Sequence, residues 1–380
     1  LGVVTGLKYP QAQVAAGDAT YLSPPENTGV DSGNWQLSTG AGIAWELDFW
    51  GRFRRGIESA DAAYMASVAA YDQAQVLLTA AVVNTYAIIR TIEQRLRIAH
   101  DNVAIQQRSY EIAEVLFKNG ADSELDMQQA NTLLLSTQAS IPGLELALTQ
   151  SRNALSTLLN QAPGTVKDRL AQGSGIPIVP EDLAVGIPAD MLRRRPDVAR
   201  AERALAAQTA RVGESVAELY PKFTLTGSIG LESLSASTLF SSGSQGYNII
   251  PGVRWPIFHS GSIRNNIKAQ EAIQEQLLQR YEWTVLNAVR EVRNALTDYQ
   301  KEKQRRESLT LAVEAAKAAE ELAADRYRSG LSDFNNILDA QRSLLLFQER
   351  LARSEGAVGQ NAVRLYKALG GGWISMEEQQ

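Results

Sequence analysis

The stretch GIAWELDFWGRFRRGI at residues 42–57 returns as GVRWPIFHSGSIRNNI at residues 252–267, which lies 210 positions later in the chain. The same shift aligns residues 41–160 with residues 251–370 without a gap. Identical residues in the aligned copies include Gly42 and Gly252, Trp45 and Trp255, Gly51 and Gly261, Gly120 and Gly330, and Leu155 and Leu365. Each copy of a long repeat supplies the same elements to one assembly. The chain is therefore predicted to be one structural unit built twice.

Composition excludes several classes of site. The 380 residues contain no cysteine and two histidines, so disulfides, thiolate catalysis and cysteine-ligated zinc are excluded. His100 and His259 have no partner at a metal-binding spacing, and we expect neither a metal nor a cofactor. The formal net charge of −5 gives no basic surface for nucleic acid. No nucleophile stands beside a base, so the chain is not expected to be an enzyme.

Four segments alternate between apolar residues and polar or small residues. In the second copy, Phe223 and Leu225 alternate with Lys222 and Thr224. A period of two is typical of a strand with one apolar face. Strands are predicted at about residues 9–22 and 35–49 in the first copy, and at about residues 220–232 and 246–258 in the second.

Each strand pair is followed by a long segment without proline, at residues 55–118 and 265–328. As helices, these 64-residue segments would each be about 95 Å long. Each ends at a glycine, Gly120 or Gly330, of the kind that terminates helices. Returning helices are predicted at about residues 122–160 and 332–369, with capping boxes formed by Ser123 and Asp126 and by Ser332 and Asn335.

These elements set the predicted boundaries. Residues 1–161 form the first repeat, residues 162–190 a linker or equatorial segment, residues 191–370 the second repeat and residues 371–380 a tail. A helix at residues 196–217 precedes the strand that starts at Tyr220, whereas only eight residues precede the matching Tyr9. The first copy is therefore expected to lack its first helix through truncation, together with any targeting segment.

Four strands cannot close a barrel by themselves. In a membrane the open edges would leave backbone groups without partners, so other copies must close the sheet, and three chains would supply twelve strands. Hydropathy does not sustain the roughly 18 apolar residues of a membrane helix, whereas membrane strands give much weaker patterns. A soluble β-sandwich is the alternative interpretation, but it gives no reason for helices of this length.

Three separated motifs resemble the TolC-like outer-membrane efflux proteins, in particular the lipoprotein branch related to nodulation protein T that works with resistance-nodulation-division (RND) pumps. They are LRRRPDVARAERALAAQTARVGESVAELYPKFTLTGSIG at residues 192–230, WPIFHSGSIRNNI at residues 255–267 and RYRSGLSDFNNILDAQRSLL at residues 326–345. The resemblance spans essentially the whole chain. It implies an α+β membrane protein that forms a trimeric channel-tunnel, with a 12-stranded transmembrane β-barrel and a long periplasmic α-helical barrel.

The resemblance also implies location and partners. The protein is expected in the outer membrane of a Gram-negative bacterium, extending into the periplasm and anchored by lipid on an N-terminal cysteine that precedes this sequence. Its expected partners are two further copies of itself, outer-membrane lipid, a periplasmic adaptor protein and an inner-membrane RND transporter.

By the same resemblance, the gate lies at the periplasmic helix ends. Asp339 matches a constriction aspartate, whereas Asn336 replaces an acidic residue one turn earlier. Arg342, Asp126 and Gln129 are expected nearby and would latch the closed state. Solvated residues at helix starts are the alternative interpretation.

Two sets of turn residues are expected to dock the adaptor: Lys118, Asn119 and Gly120, and Arg328, Ser329 and Gly330. The alternative interpretation is that these residues only form the turns of two helical hairpins. The arginines at residues 193–195 are interpreted as a solvated helix lead-in in preference to an anion-binding patch.

The function expected from these features is an energy-free exit duct that passes drugs or other small molecules from an inner-membrane pump to the cell exterior. A type I secretion duct for polypeptides is an alternative with the same fold. A structural coiled-coil protein is a third hypothesis, which the alternating strands disfavour.

Overall fold

The computed structural model describes residues 2–23, 33–121, 123–171, 173, 175–177 and 194–371. In chain order the elements are α1 (Gly2–Gly6), β1 (Ala12–Leu22), β2 (Asn34–Leu47), α2 (Arg52–Lys118), α3 (Glu124–Leu158), α4 (Lys167–Leu170), α5 (Pro196–Ala217), β3 (Lys222–Ser233), a 3₁₀ turn (Ser242–Ser244), β4 (Gln245–Arg254), α6 (Ser262–Arg328) and α7 (Phe334–Ala368). They form two compact units, Leu1–Ala70 with Asp197–Thr284 and Tyr71–Pro196 with Val285–Gln380.

The first unit contains one antiparallel sheet in the order β1-β2-β3-β4. The register places Gln13, Ile43, Gly227 and Ile249 on one rung and Ala15, Ala41, Ile229 and Tyr247 on the next rung of the same face. The opposite face carries small and polar residues: Asp18, Ser38 and Glu232 share one rung, and Ala16, Gly40, Gly230 and Gly246 another. The alternation read from the sequence thus divides the sheet into an apolar face and a small, polar face.

Aromatic side chains stand at both ends of the apolar face. At the end remote from the long helices, the rings of Tyr21 and Trp35 lie 5.4 Å apart. At the helix end, Phe49 packs edge-on against Phe223 at 4.9 Å, and the Trp45 indole N–H donates to the carbonyl of Lys8. Between these two aromatic belts the face carries mainly aliphatic and small residues, with Tyr247 as an aromatic exception.

The sheet is concave on its small, polar face, where it encloses a depression of about 510 Å³. Gly40 and Gly230 face each other there, and a Cβ atom on Gly230 would lie 2.6 Å from the carbonyl oxygen of Thr39. Only glycine permits this approach of β2 and β3, because the obstruction is backbone and cannot rotate away.

Neither edge of the sheet is paired within the described chain, and every residue of β1 is exposed. Large apolar side chains on the sheet are also uncovered, including Ile229, Tyr247, Ile249 and Val253. Unpaired edges and a contiguous exposed apolar face are features of a surface that another molecule or a membrane covers.

The long helices α2 and α6 have 67 residues each, so each contains about 100 Å of helix. Both begin three residues earlier than predicted. In α2 the Asp48 carboxylate accepts hydrogen bonds from the amides of Phe53 and Arg54 at 3.1 and 2.9 Å, which satisfies the first turn. Gly51 and Gly261 precede the two helices with φ of +80° and +77°. Both glycines therefore adopt a left-handed conformation that other residues rarely adopt.

The second unit is held together by apolar clusters between helices. Ile89, Ile92 and Ala99 of α2 pack with Leu144 and Leu148 of α3. The returning helices α3 and α7 end at Leu158 and Ala368, close to the predicted ends. This packing covers one side of α2 only, and Leu77, Leu78 and Val83 stay exposed.

The hydropathy prediction is wrong for α2. One 18-residue window in this helix reaches a mean hydropathy of 1.3, and a third of that window is buried within the chain. Most of that apolar window is therefore left exposed by the described chain.

Three of the predicted segments can be compared with the described residues: the start of the first repeat, the linker and the C-terminal tail. The five-residue helix α1 precedes β1, and the 211-residue offset that relates Tyr9 to Tyr220 aligns it with the last five residues of α5. In the linker predicted at 162–190, the described residues include α4, whereas residues 178–190 lie outside the described chain. Of the predicted tail, only Gly371 is described.

Candidate functional site

The two long helices, α2 and α6, end in separate turns that have the same geometry. At the end of α2 the Ala121 amide donates to the carbonyl of Leu116 and the Gly120 amide to that of Phe117, both at 2.9 Å. In the second copy, Leu331 and Gly330 make the equivalent bonds to Arg326 and Tyr327. This is the Schellman pattern, which requires the left-handed φ of +71° found at both Gly120 and Gly330. The two glycines end the helices, as predicted, because glycine adopts this left-handed conformation without strain.

The two returning helices begin differently. Ser123 caps α3, accepting from the Asp126 amide at 3.2 Å and donating to its carboxylate at 2.7 Å. The predicted capping box of Ser332 and Asn335 is wrong, because Asp333 is the cap of α7 and its side chain makes no capping bond. Ser332 instead accepts from the Asn336 side chain at 2.8 Å. The chain turns one residue later than the sequence pattern suggested.

An apolar cluster joins the four long helices, α2, α3, α6 and α7, next to these turns. Ala113 of α2, Ala130 and Leu133 of α3 and Phe334 and Ile337 of α7 are buried together, and Tyr327 of α6 packs against them. The rings of Tyr327 and Phe334 lie 5.2 Å apart. This cluster fixes the positions of the candidate gate residues that follow it on α7.

Asp339 and Arg342 lie on the exposed face of α7. Arg342 donates to the Asp339 carboxylate at 3.3 Å, and their side chains are 51% and 76% exposed respectively. Asn336 is exposed one turn earlier on the same helix. An exposed pair three residues apart contributes little to stability, so both charges remain available to another molecule.

Asp126 and Gln129 are not brought to Arg342. Asp126 bonds to Ser123, whereas the Oε1 atom of Gln129 is buried and accepts no hydrogen bond from the described chain. The hydrogen bond of Arg342 within one chain is to Asp339. A latch that joins Arg342 to Asp126 or Gln129 would therefore need a second copy or a different state.

The six turn residues expected to dock a partner are exposed, but their polar groups are occupied. Lys118 pairs with Glu114 at 3.1 Å and Arg328 with Asp325 at 2.9 Å. The Asn119 amide and the Ser329 hydroxyl donate to carbonyls four residues earlier, at 2.7 and 2.9 Å. These bonds finish the helix ends. Beside the second turn lies a groove of about 690 Å³, lined by Leu322, Ala323, Arg326, Leu331 and Asn336 among others.

Two buried arginines were missed by the reading of the sequence. Arg195, predicted as part of a solvated lead-in, is 6% exposed and donates to the carbonyl of Ala368 at 2.9 Å and to Glu291 at 2.7 Å. Its neighbour Arg194 is exposed as predicted, and Arg193 lies outside the described residues. Arg195 ties the end of α7 to α6, which a run of three arginines does not reveal.

Arg90 plays a similar role in the first copy. It donates to the carbonyl of Leu170 at 2.6 Å and to Glu93 at 2.7 Å, which also accepts from Arg152. Burial disfavours its charge and by itself lowers its pKa, but hydrogen bonds to Tyr86 and Glu93 outweigh burial and raise the pKa of Arg90 above its ordinary value. Arg90 therefore stays charged and holds the segment after α3 against α2.

The histidines show no site chemistry in the part of the chain that the structure describes. His100 is exposed, and His259 is half-buried with an Nδ1 atom that has no hydrogen-bond partner. No three His, Cys, Asp or Glu side chains gather around a metal position among the described residues.

The chain matches the family described as outer membrane efflux protein over residues 6–161 and 187–371. It is 33% identical over 331 residues to nodulation protein T of Rhizobium leguminosarum bv. trifolii, covering 86% of this chain and 69% of that protein. It is 34% identical over 357 residues to the solvent efflux pump outer membrane protein SrpC of Pseudomonas putida, covering 93% and 74%.

A solved structure has the same fold. The outer-membrane channel OprN superposes with a TM-score of 0.92 and 36% sequence identity, and the match covers 98% of this chain and 84% of the channel chain. The chain therefore has the fold of an outer-membrane channel.

Proposed function

Because the chain belongs to the outer membrane efflux protein family, we propose that three copies of it form the exit duct of a tripartite efflux pump. The duct performs no catalysis and uses no energy of its own. It conducts small molecules that an inner-membrane transporter of the RND class and a periplasmic adaptor deliver to it. The name of SrpC, a solvent efflux pump protein, supports small molecules as the cargo.

The division of the sheet into two faces is the observation that carries this proposal. The aromatic belts at Trp35 and Trp45 are ten residues apart on β2, which is about 33 Å along the strand. A strand tilt of about 40° reduces this to a height of about 25 Å, which is the thickness of the apolar band on outer-membrane barrels. The apolar face fits contact with lipid, and the concave polar face fits a water-filled lumen.

The uncovered surfaces of one chain support the trimer. The open edges at β1 and β4 need partners, and three sheets of four strands make a closed barrel of twelve. Exposed apolar residues on the long helices, among them Leu78, Trp283 and Leu286, would be covered by neighbouring copies. A lipid anchor on a residue before Leu1 stays a prediction.

In such a trimer, Asp339 and Asn336 would line the narrowest part of the periplasmic end. Three copies of Asp339 around the threefold axis would form an acidic ring that favours cations. Arg342 would limit the repulsion between these carboxylates, and contacts with Asp126 and Gln129 of a neighbouring copy would latch the closed end.

The turns Lys118–Gly120 and Arg328–Gly330 would dock the adaptor. Their polar side chains already complete the helix ends, so docking would rest on shape and on apolar contact. The groove beside the second turn, with Leu322 and Leu331 61% and 69% exposed, suits a helical hairpin.

Single-channel conductance in planar bilayers tests the gate. We predict that Asp339→Ala with Arg342→Ser raises the conductance of the purified protein, because the change removes the charges that line and latch the closed end. The matched control is Glu58→Ala with Arg55→Ser, which removes another exposed ion pair three residues apart, with a separation of 2.6 Å, near the start of α2. Equal conductance of the gate variant and the wild type would reject the assignment.

A further inference from the structure

A line of polar side chains joins α2 to α7 within the second unit. Arg95 pairs with Glu349 at 2.9 Å, Asn102 donates to Gln348 at 2.8 Å, and Ser109 accepts from Gln341 at 2.8 Å. The number on α7 falls as the number on α2 rises, so the two helices run antiparallel. We call this line the polar seam.

Gln106 lies in the middle of the polar seam. Positions 102, 106 and 109 share one face of a helix, because they are four and three residues apart. The Gln106 side chain is 1% exposed, and neither its Nε2 nor its Oε1 atom makes a hydrogen bond to any residue that the structure describes. By register, the residues opposite it on α7 are Leu344 and Leu345. A fully buried amide among leucines is costly unless another state of the protein supplies its partner.

Gln341 has a hydrogen-bond acceptor that is unsatisfied within the described chain. It is 2% exposed, and its Nε2 atom donates to Ser109 and to Glu320 at 2.8 and 3.3 Å. Its Oε1 atom is buried and accepts no hydrogen bond from the described part of the chain. The free donor of Gln106 and the free acceptor of Gln341 would meet if Gln341 moved from Ser109 to Gln106. That movement spans three helical residues, or about 4.5 Å.

The polar side chains that α2 brings to the polar seam are not repeated in α6. The positions that match Asn102, Gln106 and Ser109 in the second repeat are Ala312, Ala316 and Ala319. Gln348 therefore meets an amide and Gln341 a hydroxyl on α2, whereas the equivalent positions of α6 are alanine. The seam is a feature of the contact between the two repeats and does not follow from the duplication.

We propose that Gln106 is the hydrogen-bond partner of Gln341 in a second register of α2 and α7, so that Ser109 and Gln106 are the two positions of a latch between the repeats. This inference rests on the proposed function, since a second register belongs to a duct that opens. A shift of about one helical turn between packed helices is a known form of switching between two states. Ser109 holds the register described above, which is that of the closed duct in this proposal. Gln106 holds the other register, which is that of the open duct.

The fraction of time that single channels stay open in planar bilayers tests the latch. Ser109→Ala removes the partner of one register only, so we expect the open fraction to rise. Gln106→Met removes the partner of the other register and relieves the unpaired amide of the first. We expect it to lower the ratio of open to closed channels by about tenfold. Gln106→Leu is a second variant with the same expected direction.

Gln107→Met is the matched control. Gln107 makes its hydrogen bond to Glu111 within α2, at 2.9 Å, so its loss should leave the open fraction unchanged. A purely structural role for Gln106, such as holding a water molecule, would change thermal stability but not the open fraction.

Opposite shifts from Ser109→Ala and Gln106→Met support the latch, whereas shifts in the same direction or no shift for Gln106→Met overturn it. Failure of the tip gate would appear separately, as unchanged conductance in the Asp339 and Arg342 variant. A wild-type protein that forms no channel would reject the duct and the latch together.

Discussion

Glu355 lies half-buried on α7, one residue before the glycine that contacts α2. Burial raises the pKa of its carboxyl group, and the charge of Arg306 offsets only part of that rise. The folded state therefore favours the neutral carboxyl. The stability that Glu355 contributes is complete below its ordinary pKa of 4.5 and is lost as the pH rises through the raised folded-state pKa.

We predict that Glu355→Gln raises the thermal unfolding midpoint at neutral pH, because glutamine stays neutral where glutamate must ionise. The difference from the wild type should shrink as the pH falls below 4.5, where both side chains are neutral. Thermal unfolding of both proteins in detergent across this pH range measures it. A stabilisation that is constant with pH would show that packing, and not ionisation, is responsible.

Single residues were predictable where the backbone sets the requirement. Gly120, Gly330 and Ser123 occupy the positions that a helix end and a helix start demand, and local sequence is sufficient to find them. Arg195 and Gln341 were not predictable in the same way. Their partners are 173 and 232 residues away, at Ala368 and Ser109, so nothing local distinguishes them from solvated side chains.

Two helices approach closely where α7 carries glycine. A Cβ atom added to Gly356 would overlap the side chain of Thr91 on α2, whose hydroxyl donates to the Ala87 carbonyl at 2.8 Å. Gly359, one turn further along α7, lies 4.0 Å from the Ala87 methyl by the same measure. Small residues on both helices therefore set the distance between α2 and α7, close to the polar seam.

We predict that Gly356→Ala destabilises the protein by about 1–3 kcal/mol, because the added methyl group overpacks this contact. The control is Gly143→Ala on α3, where no atom lies within 4 Å of the added carbon. That change should instead stabilise the fold by about 0.5–1 kcal/mol, since alanine favours helix. Denaturant unfolding of the two variants measures both effects, and destabilisation by both would contradict the packing argument.

Elements were predicted well in kind and less well at their ends. A long proline-free segment and a strict alternation leave little choice between helix and strand. The starts of α2 and α7 depend instead on the carboxylate of Asp48 and on the position of Asp333, which a pattern of apolar residues does not contain. Arg90 holds the short helix α4 through a hydrogen bond to the carbonyl of Leu170. The two residues are 80 positions apart in the sequence, so no local pattern predicts this contact.

At the scale of the whole molecule, the repeat predicted one unit built twice, and the family resemblance of the three motifs predicted the fold class, the outer-membrane location and the efflux role. The family match and the similarity to OprN confirm all three. The hydropathy prediction fails for α2, although the apolar window that contradicts it is a property of the sequence itself. Differences between the copies, such as the polar seam against Ala312, Ala316 and Ala319, mark where the two repeats have separate roles.

Native mass spectrometry of the protein extracted from outer membranes in detergent is the most direct test of the central claim. We predict particles of three copies, because each chain brings four strands with two open edges and three sheets close a barrel of twelve. A monomer, or any other number of copies, would contradict the duct.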